Sequence, residues 1–215
     1  MIPKNIKHII WDWNGTLVND AQRCVDIMNG IRDRRSMSPI SLKGYRDLFD
    51  FPVIDYYRKI GFDLDEHPFE TLSHEFISEY IQSRKDLPLQ PGALEALEFF
   101  KDRGIPQCVL SATQSEALHE SLDEHQLINY FKTVLGLNHH YADGKAHLGE
   151  TWLQLNHIKK EQVLFIGDTL HDREVANKMG VHYVLIANGH HSTDRLKNSS
   201  TKVLEDLHQL IKLFL

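Results

Sequence analysis

The 215-residue sequence predicts an α/β fold, a Rossmann-like parallel sheet with helices on both faces and a small all-helical segment inserted after the first strand. Three observations predict it. Residues 6–11 (IKHIIW) and 163–167 (VLFIG) are short, continuous apolar runs between polar residues, the pattern of strands buried on both faces. From Pro91 onward such runs alternate with helical patterns, as in successive strand–helix–strand units. Between residues 19 and 87 the alternation stops, and only helical spacing remains.

The first strand ends in Asp12, and Asn14-Gly15 then breaks the pattern in a tight turn. Ala21, Cys24, Val25, Met28 and Ile31 recur at helical spacing, with Asn19 or Asp20 as the capping residue. After a turn at residues 36–39, a short helix follows Ser41, and another runs from Pro52 to about Ile60, stopped by Gly61. Pro68 opens a fourth helix, in which Phe69, Leu72, Phe76, Ile77, Tyr80 and Ile81 form one apolar stripe. Residues 87–92 (LPLQPG) read as the exit hinge. The chain therefore divides into a core of residues 1–18 and 88–215 and a helical insertion of residues 19–87.

Within the core, a helix runs from Pro91 to Gly104, then a strand over 107–112 and a helix from a capping Ser115 to about Glu124. A strand follows over 133–137, a helix over 149–156, the 163–167 strand, and a helix from about Asp172 to Met179 closed by Gly180. A strand over 183–187, a short strand near 201–204 and a final helix to Leu215 complete the pattern.

Lys and Arg number 24 against 30 Asp and Glu, a net charge of −6, so there is no basic footprint for nucleic acid. A mildly acidic protein that handles anions must make its positive field locally, from a metal ion, lysines or helix N-termini. Cys24 and Cys108 lie far apart on apolar runs and read as reduced core thiols. With no signal-peptide pattern and no run of membrane-spanning length, the expected location is the cytoplasm, without a membrane partner.

Asp12 stands where a buried strand emerges, the place where open α/β sheets bind ligands. Asp168 follows Gly167 at the end of a second apolar strand, and Asp172 follows after three intervening residues. Two acids so spaced face a common point, and hard oxygen ligands suit Mg²⁺. Ser111 lies late in the 107–112 run, and Lys145 sits in Asp143-Gly144-Lys145-Ala146-His147. Each has a plainer reading alone: a strand-end serine, a solvated loop lysine, acids that cap a helix. For Asp168 and Asp172 the presence of Asp12 outweighs the capping reading.

Asp12-Trp13-Asn14-Gly15-Thr16 closely resembles the first motif, Asp-x-Asp-Gly-Thr, of the haloacid dehalogenase-like hydrolases. Ser111, Lys145 and residues 167–172 resemble the second, third and fourth motifs, although His147 stands where many relatives have proline. The resemblance implies a phosphoglycolate phosphatase-like enzyme whose residues 19–87 form a C1-type cap. It implies a Mg²⁺-dependent phosphatase acting on a small phosphorylated metabolite, with Asp12 taking up the phosphoryl group. Thr16, Ser111, Ala112 and Lys145 would hold the phosphoryl oxygens, Lys145 as an electrostatic clamp. Asp12, Asp168 and the Asn14 carbonyl would hold the metal, with Asp172 in support.

Asn14 departs from the motif, because an amide does not shuttle a proton. Such assistance is worth about 10² to 10⁴ in rate, so the departure implies slow turnover of alkyl phosphates and a gain in Asn14→Asp. Two other readings compete. One is carbon–phosphorus cleavage, as in phosphonoacetaldehyde hydrolases, with Lys43 or Lys59 as a Schiff-base lysine. The other is a catalytically weak member that binds a phosphorylated ligand or partner. The pairs His139-His140 and His190-His191 read as surface residues, with the 189–192 stretch at the edge of the site. Tyr45, Phe49, Phe51, Tyr56 and Tyr57 read chiefly as helix packing, with a share in shaping a pocket.

Overall fold

The computed structural model describes residues 5–137, 144–199 and 202–215. Six strands form one parallel sheet: β1 (His8–Trp11), β2 (Gln107–Gln114), β3 (Thr133–Leu137), β4 (Val163–Gly167), β5 (His182–Ile186) and β6 (Val203–Leu204). Their order is β3-β2-β1-β4-β5-β6. The chain thus winds outward from β1 in one direction and from β4 in the other. β1 and β4 are neighbours in parallel register, with Ile10 opposite Phe165 and Trp11 opposite Ile166. That central pair is the switch point of the sheet, where a crevice opens beyond the strand ends. Asp12 and Asp168 are the residues that follow the two strands.

Alternation along β1 divides the core between the two faces. Ile9 and Trp11 pack with Leu97, Phe100, Leu118, Leu122, Leu207 and Leu210. These come from α5 (Ala93–Asp102), α6 (Ser115–Glu124) and α10 (Leu207–Lys212). Ile10 points the other way, into a cluster with Leu110, Leu153, Phe165, Val175 and Met179 beneath α7 (Gly144–Leu155) and α8 (Leu170–Met179). A further short helix, α9 (Thr193–Lys197), follows β5 and was not foreseen from the sequence.

Residues 19–87 contain helices and no strand: α1 (Ala21–Asp33), α2 (Leu42–Leu48), α3 (Val53–Lys59) and α4 (Phe69–Ser83). They bury an apolar cluster of their own, including Ile27, Ile31, Tyr57, Phe62 and Leu72. α1 buries Ala21, Cys24, Val25, Met28 and Ile31 on one side, as its spacing dictates. The Ser41 hydroxyl accepts the Gly44 amide at 3.0 Å and starts α2. The chain enters and leaves this insertion through paired segments. Val18 bridges Leu89 in antiparallel fashion, and the Asn19 amide donates to the Pro88 carbonyl at 2.8 Å.

Several boundaries differ from the sequence reading. β2 runs on to Gln114, so Gln114, not Ser115, is the capping position of α6. α5 begins at Ala93 behind Gly92 in a left-handed conformation. α7 begins at Gly144 rather than at residue 149, which puts Lys145 in its first turn instead of in a loop. α8 starts at Leu170, β5 at His182, and the last strand is only Val203–Leu204. His139-His140 and Asp143 lie outside the described residues.

Candidate active site

The turn after β1 carries the first acid. The Asp12 amide donates to the Ile166 carbonyl of β4 at 2.8 Å, and the Leu17 and Val18 amides both return to the Trp13 carbonyl. Gly15 sits at φ 76°, and a Cβ there would lie 2.3 Å from Asp168 Oδ2. A Cβ on Gly189 would lie 2.2 Å from the same atom. Only glycine lets these two backbone segments come this close to Asp168.

The predicted acids and lysine meet here. Lys145 Nζ donates to Asp12 Oδ1 at 2.5 Å and to Asp172 Oδ1 at 2.7 Å. Thr16 Oγ1 donates to Asp168 Oδ1 at 2.9 Å, with Asp12 Oδ2 at 3.4 Å. Asp172 also accepts the Thr169 amide at 3.0 Å in a capping box, so it starts α8 and serves the cluster at once. All five side chains are buried. Asp12, Asp168 and Asp172 offer oxygens within 4.8 Å of one another. Three buried acids around one ammonium leave an excess of negative charge, and an all-oxygen donor set fits a hard divalent cation such as Mg²⁺.

The electrostatics follow from this crowding. Burial pushes the Asp12 carboxyl up to about 8 despite Lys145, and Asp168 up to about 6 despite His190. Burial would raise Asp172 as well, but Lys145 beside it overrides this and holds the carboxyl below its ordinary value. Burial would depress the Lys145 ammonium; Asp12 and Asp172 reverse that and push it up.

The other predicted residues lie around this centre. The Ser111 hydroxyl is buried and hydrogen-bonds Thr113 Oγ1 at 3.1 Å. Thr113 Oγ1 in turn donates to Asn14 Oδ1 at 2.8 Å. Ala112 is half-buried between them on β2. Asn14 Nδ2 donates to Asp20 Oδ2 at 2.8 Å and to Tyr80 Oη at 2.6 Å, so its amide is paired at both ends. The candidate Schiff-base lysines lie elsewhere. Lys43 is 84% exposed and paired with Asp47, and Lys59 is 47% exposed and paired with Asp50.

The reading of His190 and His191 as surface residues is corrected: both are buried. The His190 amide donates to Asp168 Oδ2 at 2.6 Å, its Nε2 lies 3.2 Å from Asp20 Oδ1, and its Nδ1 is 2.8 Å from Tyr45 Oη. Asp20, Tyr45, Tyr80 and His190 therefore belong to the site's surroundings; the sequence put the 189–192 stretch at the site edge and gave Tyr45 a share in a pocket, but gave Asp20 and Tyr80 no such role. A glycine just before a histidine pair was the one available sign. His191 Nδ1 accepts the Leu170 amide at 3.1 Å, and burial pushes its pKa down to about 3. Arg46 and Arg195 fasten the insertion above. Arg46 donates to the carbonyls of Gly189 at 2.8 Å and Asn188 at 2.6 Å, and Arg195 pairs with Asp50 at 2.8 Å.

Burial alone would lower the His190 pKa from its ordinary 6.5, but Asp20 overrides this and pushes it up to about 9. A raised cation stabilises the fold fully below pH 6.5 and ceases to do so as pH rises through 9, a contribution of roughly 3 kcal/mol. Urea unfolding at pH 6 and pH 10 is therefore expected to show a larger alkaline loss in the native protein than in His190→Gln. Equal losses in the two proteins would place the alkaline transition elsewhere.

A parallel sheet whose central strand ends present buried acids and a lysine, beneath a helical insertion, defines a class of α/β hydrolytic enzyme. The haloacid dehalogenase-like hydrolase family matches residues 9–186, and the chain belongs to it. The chain is 21% identical to a phosphoglycolate phosphatase of Rhodobacter capsulatus, over 86% of each chain. It is 24% identical to one of Aliivibrio fischeri, covering 94% of this chain and 93% of the relative. In three dimensions it resembles a haloacid dehalogenase-like hydrolase from Streptococcus pneumoniae with a TM-score of 0.83 at 17% identity, over 99% of this chain and 100% of the other.

Proposed function

We propose that this enzyme is a Mg²⁺-dependent phosphatase that hydrolyses a small phosphorylated metabolite through an aspartyl-phosphate on Asp12. The observation that carries the reading is the Asp12 carboxylate held by Lys145 against Asp168 and Asp172 at the switch point of the sheet. Its phosphoglycolate phosphatase relatives make a phosphorylated carboxylic acid the first metabolite to test. Two buried, free cysteines support a cytoplasmic location.

Asp12, Asp168 and the Asn14 carbonyl would hold Mg²⁺, with Asp172 behind them; the bound ion would offset the negative charge of the phosphoryl group. Lys145 occupies Asp12 Oδ1, which leaves Oδ2, with only the 3.4 Å contact to Thr16, as the attacking oxygen. Attack forms the Oδ2–phosphorus bond as the ester oxygen departs with its electron pair. Water then cleaves the acyl phosphate, releasing phosphate and regenerating the carboxylate. Lys145, Thr16 and Ser111 stabilise and orient the transferring group. Asn14 has no proton to give, so aryl and acyl phosphates with good leaving groups react faster than alkyl phosphates.

Residues 19–87 act in this reading as a C1-type cap that closes the site and excludes water. Among the described residues, Tyr56 Oη, His171 Nε2 and His191 Nε2 are buried without a hydrogen-bond partner. Phe49 contacts the Tyr56 and His191 rings, and Phe51 lies 4.6 Å from the His171 ring. These three polar atoms are the groups offered to oxygens on the leaving part of the substrate.

The test is hydrolysis of p-nitrophenyl phosphate with Mg²⁺ and with excess EDTA. Turnover is expected with the metal and should fall to background in the chelator. An absence of turnover with Mg²⁺, both on this ester and across a panel of phosphorylated metabolites, would overturn the assignment.

A further inference from the structure

Asp20 joins more of the site's framework than any other acid outside the metal-binding cluster. Its Oδ1 accepts the Gly15 amide at 2.9 Å, and its Oδ2 accepts Asn14 Nδ2 at 2.8 Å and the Tyr80 hydroxyl at 2.7 Å. His190 Nε2 lies 3.2 Å from Oδ1. These partners come from the turn behind Asp12, from α4 and from the segment after β5. Asp20 precedes α1 without capping it through its side chain, so the carboxylate is given over to these contacts.

We propose that Asp20 is a positioning residue for the turn that carries the nucleophile, and that it and Asn14 form one matched acid–amide pair. The inference rests on the phosphatase reading above and deepens it. Through Asn14 and Gly15 the carboxylate of Asp20 holds two of the three residues between Asp12 and Thr16. Through Tyr80 the same carboxylate ties that turn to α4. Position 14 is an amide because its neighbour is an acid. Asn14 donates to Asp20 and Tyr80 and accepts from Thr113, which uses both faces of its amide.

A carboxylate has no hydrogen to donate. Asn14→Asp therefore deletes two donors and sets acceptor against acceptor where the present separation is 2.8 Å. From the motif alone this substitution is expected to raise turnover; the hydrogen bonds of the folded chain reverse that expectation. Exchanging the two residues restores the acid–amide contacts, although not the anion 3.2 Å from His190. An amide at position 20 donates to an acid at position 14, its carbonyl oxygen still accepts from Gly15, and the hydroxyls of Tyr80 and Thr113 donate to the acid.

The experiment is a double-mutant cycle on the full chain with Asn14→Asp, Asp20→Asn and the two combined. kcat and KM for p-nitrophenyl phosphate with Mg²⁺ are measured together with Tm. Each single substitution is expected to lower kcat by about 10-fold or more with KM changed by less than about threefold, and the exchange to return kcat to within about threefold of native. Additive losses in the double variant, or Asn14→Asp at or above the native rate, would refute the pairing. A fall in Tm with kcat unchanged would refute the positioning role and leave only a structural one. If the native chain hydrolyses no phosphate ester, the phosphatase reading fails separately. The Tm cycle then decides the pair, a loss in the exchanged variant smaller than the sum of the two single losses supporting it and additive losses refuting it. A single variant that does not fold counts for the pair when the exchanged variant does.

Discussion

Asp12→Asn is expected to lower kcat for p-nitrophenyl phosphate by about 10⁴-fold or more, the scale of loss when an attacking group is removed. The substitution preserves shape and removes only the nucleophilic charge. It is also expected to leave metal-free stability unchanged or raised. Burial pushes Asp12 up to about 8, so from pH 3.8 upward ionisation increasingly costs the folded state, and the full cost is reached above pH 8. An amide removes that cost and still accepts from Lys145. Activity and thermal unfolding measured at pH 8 check both halves. A variant that loses its activity together with a large part of its stability would show that Asp12 supports the fold rather than the chemistry.

Lys145→Met is expected to be harmful in both respects. Its ammonium is buried 2.5 Å from Asp12 and 2.7 Å from Asp172, and the methionine leaves both acids without that cation. Removing one partner of such a buried set costs roughly 3–5 kcal/mol, and loss of a preorganised donor lowers kcat by about 10² to 10³. The stability loss carries a pH signature. Lys145 is what depresses the Asp172 carboxyl, so stability present at neutral pH depends on the pair and disappears in the variant. That stability is fully present above the ordinary carboxyl value of 3.8 and is lost as pH falls through the lower folded value, so the gap between native and variant narrows from pH 7 to pH 3. Urea unfolding at the two values measures it; a gap independent of pH would mean that packing rather than charge is what the lysine supplies.

What the sequence disclosed was what short-range pattern controls. The apolar runs of β1 and β4, each followed by an aspartate, mark two strand ends that present acids; that the two strands are neighbours at the switch point is a fact of the folded sheet. α1 and α4 were legible because their apolar residues repeat over three or four turns. α7 was placed five residues late because Gly144, His147 and Gly149 weaken the apolar pattern over its first turns. The burial of His190 was missed for a different reason. Its burial is made possible by Asp20, a partner 170 positions earlier in the chain, and adjacent histidines in a polar stretch give no local sign of it. The same holds for Asn14. As a letter in a motif it is a lost acid, whereas its three hydrogen bonds to Asp20, Tyr80 and Thr113 are tertiary facts.

The strand order also bears on how the chain is made. β1 leaves the ribosome first, yet one of its two neighbours is β4, which is translated long after the insertion and β2 and β3. Until then one edge of β1 lacks its native partner, and Asp12 has neither Asp168 nor Asp172 beside it. A nascent or truncated chain ending before residue 163 thus carries an open apolar edge that invites pairing with other chains. Non-local pairing of this kind slows folding. The acid cluster is complete only late in synthesis, after β4 has closed the centre of the sheet and Asp168, Asp172 and the Gly189–His190 segment have followed it.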